Sequence, residues 1–186
     1  MKKIKGIILI IILLAVAFGA AKKAVYRAFP LKYGGYIREY AQEYGLDRYL
    51  VAGVIYAESG FDKTAHSGLA RGLMQLTDQT ADWVAEQLGI PYDYDMAEEP
   101  EINIKMGCYY LSFLIEKYQN AETALAAYNA GMGNVSKWLL DARYSLDGKT
   151  LYDMPYAETK NYVKRVKIFT DIYRKLYRNK GEQIWK

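Results

Sequence analysis

Apolar residues recur along most of this chain at every third or fourth position, which is the spacing of one face of an α-helix. Val51, Val54 and Ile55 form such a stripe, and Glu58 takes its next position. No stretch keeps up the alternation of apolar and polar residues that is typical of a β-strand. The pattern therefore predicts an all-α domain, or one that is nearly all helical.

Residues that cap or break helices set the boundaries of the predicted elements. Asp47 is expected to cap the helix that carries Glu58, and Ser59-Gly60 is expected to end it. Pro100 suits the first turn of a long helix. Helices are predicted over residues 36–44, 48–58, 78–88, 100–118, 121–129, 134–140 and 156–177, and loops over 61–71 and 141–155.

The N-terminus carries an almost wholly apolar run from Ile4 to Ala21, interrupted only by Lys5. As a helix it would be about 27 Å long, close to the roughly 30 Å of a bilayer core. The preceding lysines favour a cytoplasmic N-terminus, with the remaining chain on the extracytoplasmic side of the cell membrane. We predict a single-pass transmembrane anchor. A signal peptide cleaved near Ala17-Phe18-Gly19 is the alternative, and it would give a secreted protein.

The chain divides into four predicted parts. These are the membrane anchor or signal sequence (1–23), a linker broken by Pro30 and Gly34-Gly35 (24–35), one helical domain (36–178) and a C-terminal tail (179–186).

Charge and composition narrow the range of functions. The net charge of +4 is small and the basic residues are interleaved with acidic ones, so nucleic acid is not an expected partner. The single cysteine, Cys108, excludes an internal disulfide, and together with the single histidine, His66, it argues against a metal site. The sequence has no phosphate-binding glycine loop and no Gly-x-Ser-x-Gly motif.

Carboxylate chemistry remains after this elimination. Cys108 lies among apolar residues and is predicted to be a buried, inert thiol, and His66 is predicted to lie at the surface. A glutamate on an apolar stripe has its charged form disfavoured and its pKa raised, as a general acid requires. Glu58 has this position, although a helix-terminal glutamate can also turn out to water. Asp62 could pair with it, but we expect Asp62 to fix the turn after the helix.

Four motifs occur in order along the chain: Ala57-Glu58-Ser59-Gly60-Phe61-Asp62, Gly72-Leu73-Met74-Gln75, Ala127-Tyr128-Asn129-Ala130-Gly131 and Glu158-Thr159-Lys160-Asn161-Tyr162-Val163. With this order and spacing, the chain resembles the SLT-type lytic transglycosylases of family 1. Those enzymes cleave bacterial peptidoglycan and have a lysozyme-like fold. The resemblance covers roughly residues 36–177.

The resemblance implies a role for each matching residue. Glu58 matches the single catalytic acid and base, and Tyr162 matches the tyrosine whose hydroxyl approaches the catalytic carboxyl. The resemblance also assigns substrate contacts to Ser67, Met74, Gln75, Tyr128 and Asn129. The implied reaction cleaves the bond between N-acetylmuramic acid and N-acetylglucosamine and leaves a 1,6-anhydromuramyl end. The expected partners are glycan strands and the cytoplasmic membrane, and we expect a monomer that needs no metal or cofactor.

Two other functions stay open at this point. A hydrolytic muramidase would share the fold and would use a well-placed second carboxylate, such as Asp62, Asp93 or Asp95. A membrane-tethered module that binds the cell wall without cleaving it would not need Glu58. Ordinary core packing is also an alternative role for Met74.

Overall fold

The computed structural model describes the backbone of residues 2–185 and the side chains of residues 7, 8 and 10–185. The chain forms two compact units, Met1–Leu31 and Lys32–Lys186. The division falls within the residues that the sequence predicts as a linker.

The first unit consists mainly of α1 (Lys2–Ala28). The helix continues through residues 24–28, which belong to the predicted linker. Within the described part of the chain, no helix combines the length and apolar character that crossing a membrane requires. The predicted anchor over residues 1–23 lies partly outside the described residues and stays a prediction.

The second unit is mainly helical, with one small antiparallel sheet. Its helices are α2 (Gly34–Glu43), α3 (Arg48–Ser59), α4 (Asp78–Leu88), α5 (Pro100–Tyr118), α6 (Ala121–Ala130), α7 (Met132–Leu139) and α8 (Ala157–Tyr177). Its strands are β1 (His66–Ser67), β2 (Ala70–Arg71) and β3 (Leu76–Thr77). Single 3₁₀ turns occupy Tyr94–Glu98 and Glu182–Trp185.

Three side-chain caps begin helices where the sequence predicts them. Asp47 accepts a hydrogen bond from the Tyr49 N–H at the start of α3. Thr77 caps α4, and Asn120 caps α6 by accepting from the Thr123 N–H. The predicted cap at Asp47 and the predicted starts of α3, α4 and α6 are confirmed. An N-cap satisfies helix donors through local contacts, which the sequence alone encodes.

The sheet corrects the prediction of a loop over residues 61–71. Ser67 pairs with Ala70, and Arg71 pairs with Leu76, in the order β1-β2-β3. Each strand is two residues long, so no alternating pattern can develop. Backbone pairing within this segment, rather than a buried strand face, forms the sheet.

The C-terminal turn packs against the helical unit although the sequence predicts a tail over 179–186. Trp185 is fully buried, with the Arg48 guanidinium 4.7 Å from the centre of its ring. Gly34 explains why α2 begins earlier than predicted. A Cβ at this position would lie 2.9 Å from the Ile184 carbonyl oxygen, so the glycine allows the C-terminal turn to approach α2 closely. Gly34 is the first residue of α2 and does not break the helix.

The central packing contact of the unit joins α3 and α8. Gly53 lies where the two helices meet, and a Cβ there would be 2.6 Å from Thr170 Oγ1 and 2.9 Å from the Thr170 backbone nitrogen. The α3 backbone at Gly53 therefore approaches the α8 backbone and the Thr170 hydroxyl so closely that no Cβ fits between them. This contact fixes the distance between the ends of α3 and α8 that carry Glu58 and Tyr162.

Replacing Gly53 with alanine should lower the free energy of unfolding by about 1–3 kcal/mol, because α8 would have to move away. Gly133→Ala is the matched control. Gly133 lies in α7 with no atom close to the position of an added Cβ, so alanine there should add about 0.5–1 kcal/mol. Chemical denaturation measures both effects. Equal changes in the two variants would contradict the close approach at Gly53.

Candidate active site

Glu58 lies in the last turn of α3, and the helix ends at the next residue, Ser59. Gly60 terminates the helix with a φ of 60°, which glycine adopts without strain, and its N–H donates to the Tyr56 carbonyl at 3.1 Å. Glu58 is half-buried. Its carboxyl group is therefore partly removed from water at the negative end of a helix dipole, where a charged carboxylate is disfavoured.

Burial raises the pKa of Glu58 from 4.5 to about 7, because the charged form loses hydration. The Tyr162 hydroxyl and the positive charge of Arg165 lower this pKa, but they act more weakly than burial. The prediction that this glutamate lies against surroundings that raise its pKa is confirmed. Glu58 therefore changes its protonation state near neutral pH.

Tyr162 approaches this carboxyl from α8. Its side chain is 1% exposed, and its hydroxyl has no hydrogen-bond partner among the described residues. Burial raises the pKa of Tyr162 well above 10, and the charge of Glu58 raises it further. The Tyr162 hydroxyl and the Glu58 carboxyl therefore lie close enough for each to shift the pKa of the other. The hydroxyl is a donor available to the carboxylate of Glu58 or to an incoming oxygen.

Tyr128 completes the cluster from α6. Its hydroxyl donates to the Met74 carbonyl oxygen at 2.8 Å, and its ring centre lies 5.4 Å from that of Tyr110. Burial raises the pKa of Tyr128 well above 10, with a further contribution from Glu58. The fold thus brings Glu58, Tyr128 and Tyr162 together from three different helices.

The segment Gly72–Gln75 is connected to both α3 and α6. Ser59 Oγ, next to Glu58 in sequence, donates to the Leu73 carbonyl oxygen at 2.8 Å. Gln75 has a φ of 47°, which is uncommon for a residue other than glycine. Its Nε2 donates to the carbonyls of Ala65 and Gly72 at 2.8 and 2.9 Å, so only the carbonyl oxygen of its amide remains for a ligand.

The Met74 side chain lies in the core. It is fully buried, and a Cβ on Gly107 of α5 would lie 2.3 Å from its Sδ. The side chain of Met74 therefore has the core-packing role that the sequence left open. Its backbone carbonyl oxygen contributes to the site by accepting the hydrogen bond from Tyr128. A direct contact of this side chain with a sugar stays a prediction.

Asn129 lies in the last turn of α6, next to Tyr128. Its Oδ1 accepts a hydrogen bond from Thr159 Oγ1 at 2.8 Å, which joins the end of α6 to the start of α8. This bond orients the amide and leaves its NH₂ group as the donor that a ligand could meet.

Two further predicted residues lie in the segment that follows α3. Ser67 is exposed in β1, and its contact with substrate stays a prediction. Asp62 is also exposed, and its Oδ1 accepts from Thr64 N at 3.0 Å and Thr64 Oγ1 at 2.9 Å. The predicted role of Asp62 in fixing the turn is confirmed. These bonds also lower the pKa of Asp62.

The cysteine and histidine occupy the predicted environments. Cys108 is fully buried, and burial raises the pKa of its thiol. His66 is exposed, with Nε2 2.9 Å from Glu98 Oε1. Among the side chains that the structure describes, no group of three or more His, Cys, Asp or Glu residues is placed to hold a metal ion.

A pocket of about 420 Å³ adjoins Tyr110, the neighbour of Tyr128. Trp83 and Tyr110 line it with aromatic rings, and Gly131–Gly133, where α6 joins α7, also line it. The lining residues are Gln79, Thr80, Trp83, Tyr110, Gly131, Met132 and Gly133. Aromatic faces next to amide and hydroxyl groups suit the apolar faces and polar edges of sugars.

Sequence reasoning missed several residues of this site. Arg165 follows Tyr162 by one helical turn, and Thr159 precedes it by one turn, so the spacing along α8 could have suggested both. Ser59 could have been suggested by its position beside Glu58. Asn103 is buried beside the Gly72–Gln75 segment, and the available signal was a polar residue on the apolar face of a helix.

Comparison with known proteins identifies matches over most of the second unit. The family model described as "Transglycosylase SLT domain" matches residues 35–150. A soluble lytic murein transglycosylase of Salmonella typhimurium is 32% identical over 152 residues, which cover 78% of this chain and 23% of that protein. A membrane-bound lytic murein transglycosylase F of Desulfosudis oleivorans is 37% identical over 120 residues, covering 60% of this chain and 24% of that protein.

Solved structures agree with these matches. The 70 kDa soluble lytic transglycosylase of Escherichia coli aligns with a TM-score of 0.71 at 28% identity, covering 81% of this chain and 25% of that one. A lytic transglycosylase of Pseudomonas aeruginosa, solved as an inactive mutant, aligns with a TM-score of 0.70 at 32% identity, covering 79% of this chain and 24% of that one. The chain spans about a quarter of the length of these relatives.

The raised pKa of Glu58 should make folding stability depend on pH. Because the folded protein favours the neutral carboxyl, the stability from this group is fully present below pH 4.5 and is lost as pH rises through about 7. Glu58→Gln should remove this loss. Between pH 4 and pH 8, the free energy of unfolding of the variant should therefore rise by up to about 3 kcal/mol relative to that of the unmodified protein. Urea denaturation at both pH values measures the difference.

Glu86→Gln is the matched control, because Glu86 is an exposed glutamate on α4. This variant should follow the pH dependence of the unmodified protein. If Glu58→Gln does the same, then Glu58 does not have a raised pKa.

Proposed function

Because this chain belongs to the transglycosylase SLT domain family, we propose that it is a lytic transglycosylase that cleaves the glycan strands of peptidoglycan. The matched part makes up only about a quarter of the relatives that are named for this reaction. The activity and the substrate of this chain are therefore both part of the proposal. The observation that carries it is the half-buried Glu58, with a pKa near 7, next to the hydroxyl of Tyr162.

In the first step, protonated Glu58 donates its proton to the glycosidic oxygen between N-acetylmuramic acid and N-acetylglucosamine. The bond from that oxygen to the muramyl anomeric carbon breaks, and N-acetylglucosamine leaves with a free 4-hydroxyl. Positive charge develops at the anomeric carbon. The N-acetyl group of the substrate or dipoles of the site would stabilise this charge.

In the second step, Glu58 acts as a carboxylate base. It takes the proton from the 6-hydroxyl of the same muramyl residue, and that oxygen bonds to the anomeric carbon. The product is a 1,6-anhydro ring, no water is consumed, and Glu58 returns to its protonated state. One carboxyl group with a pKa near 7 can serve both steps because either protonation state is accessible at neutral pH.

Neighbouring residues would orient the sugars and the carboxyl. Tyr162 holds a free hydroxyl beside Glu58 and can donate to the carboxylate after the first proton transfer. The Gln75 carbonyl oxygen and the Asn129 NH₂ group can form complementary hydrogen bonds with acetamido groups. Ser67, which is exposed in β1, is the remaining polar contact that we assign to the substrate.

We also propose that the first unit attaches the protein to the cytoplasmic membrane, with the second unit on the outer side. Support comes from the exposed apolar side chains of α1, including Ile11, Leu14, Val16 and Phe18, and from lysines at the start of the chain. A relative named as membrane-bound is consistent with this arrangement.

Glu58→Gln should lower the rate of peptidoglycan cleavage by at least about 10²-fold while binding of glycan is retained, because glutamine cannot transfer the proton. Mass spectrometry of digested cell wall measures the reaction. The unmodified protein should release fragments with 1,6-anhydromuramyl ends. Reducing muramyl ends would instead indicate hydrolysis, and equal cleavage by the variant would remove Glu58 from its proposed role.

The pH dependence of cleavage should report the protonation of Glu58. Since the acid form starts the reaction, kcat/KM should fall about tenfold per pH unit above pH 7. Tyr162→Phe removes a group that lowers the pKa of Glu58, so this fall should move to higher pH. Tyr40→Phe, which removes a hydroxyl bonded to Glu101, is the control and should leave the profile unchanged.

Thermal unfolding separates this effect from a loss of structure. The hydroxyl of Tyr162 is buried and has no hydrogen-bond partner among the described residues, so its removal should not lower the melting temperature at pH 5, where Glu58 is neutral. A profile for Tyr162→Phe that does not move, or that moves to lower pH, would contradict the interaction with Glu58.

A further inference from the structure

Asn103 is a buried polar residue in the second turn of α5, with only 2% of its surface exposed. Its Oδ1 accepts a hydrogen bond from the Met74 N–H at 2.8 Å. Its Nδ2 donates to the carbonyl oxygens of Arg71 at 3.2 Å and Ala97 at 2.9 Å. The side chain thus uses its acceptor and both of its donors on the backbone of two other segments.

The Gly72–Gln75 segment lies directly against this amide. A Cβ on Gly72 would be 2.4 Å from Asn103 Nδ2 and 2.2 Å from the Ala97 carbonyl oxygen, and Gly72 has a φ of 76°. Only glycine allows the backbone to approach so closely in this conformation. The contact between segment and amide therefore depends on both residues.

The same segment carries the backbone groups that reach the acid site. The Met74 N–H is held by Asn103, and the Met74 carbonyl oxygen accepts the hydroxyl of Tyr128. The preceding carbonyl, that of Leu73, accepts the hydroxyl of Ser59, the residue after Glu58. Asn103 thus holds the N–H of Met74, and the carbonyl group of the same residue contacts Tyr128 of the proposed catalytic cluster.

We infer that Asn103 is a positioning residue for the acid site, which it controls through the backbone of Leu73 and Met74. This inference rests on the proposed function for its kinetic consequences. The structural basis is independent of it, because the buried Asn103 amide bonds to the Met74 N–H inside the irregular segment between β2 and β3, to the Arg71 carbonyl oxygen at the end of β2 and to the Ala97 carbonyl oxygen in the Tyr94–Glu98 turn.

The alternative role is stability alone, which any buried and hydrogen-bonded asparagine has. The two roles differ in what happens to Glu58. The Gly72–Gln75 segment forms one wall of the site, next to Ser59 and Tyr128. If this wall moves, the Glu58 carboxyl gains water, which should lower its pKa towards 4.5. A loss of stability with an intact wall would leave the pKa of Glu58 near 7.

The test compares two variants of the full chain with a matched control. Asn103→Leu keeps approximate size and removes all three hydrogen bonds, and Asn103→Asp keeps an acceptor for Met74 but loses the amide donors. Thr123→Val is the control, because the buried Thr123 Oγ1 accepts from the Leu151 N–H at 3.0 Å and so ties down a different loop. NMR titration measures the pKa of Glu58, amide exchange measures protection of the Met74 N–H, and wall digestion gives kcat and KM.

Asn103→Leu should lower kcat by about 10²-fold with KM changed less than about threefold, because the catalytic groups are displaced. It should also expose the Met74 amide and lower the pKa of Glu58. Asn103→Asp should recover activity relative to Asn103→Leu as the pH falls to 5, because a protonated aspartic acid regains one donor. Thr123→Val should lose stability without any of these changes.

The inference is overturned if both Asn103 variants match Thr123→Val in kcat and in the pKa of Glu58 at an equal loss of stability. Should Asn103→Leu not fold, Asn103→Asp decides by the same readouts. If the unmodified protein does not cleave peptidoglycan, the proposed function fails, but the titration of Glu58 and the exchange of the Met74 amide still decide the role of Asn103.

Discussion

The burial of one carboxyl group is the constraint on which the site depends. Keeping Glu58 half out of water at the end of a helix costs stability above its ordinary pKa, and the surrounding fold has to offset this cost. The extensive contact of α3 with α8 supplies the packing. The partners of the acid then follow from geometry, because α8 brings Tyr162 and α6 brings Tyr128 to the same place.

The other wall of the site is held differently. Between β2 and β3 the chain has positive φ at Gly72 and Gln75 and lacks a helix or a long strand to fix it. Side chains take over this task, since amides and hydroxyls from α3, α5 and α6 bond to its carbonyls and N–H groups. A rigid helical wall thus faces an irregular wall that is made rigid by side-chain hydrogen bonds. This division leaves the positioning of the irregular wall to side chains of α3, α5 and α6.

The sequence predicts the features that depend on local chemistry. The starts of α3, α4 and α6 follow from their capping residues, and the apolar stripe around Glu58 predicts its raised pKa. Periodicity does not encode contacts between distant segments. Such contacts determine the two-residue strands, the burial of the Met74 side chain and the packing of Trp185. Motif order singles out Tyr128 and Tyr162 as candidates, whereas the hydrogen bonds of Asn103 to three distant backbone groups can be seen only in the folded chain.

The glycine at the crossing of α3 and α8 has a consequence for how the site responds to heat. Most helix pairs are separated by a layer of side chains, whose packing loosens gradually on warming. At Gly53 only the Thr170 hydroxyl and the α8 backbone face the α3 backbone, so little material can expand between the two helices. The gap between acid and phenol should therefore stay nearly constant with temperature until the unit melts as a whole.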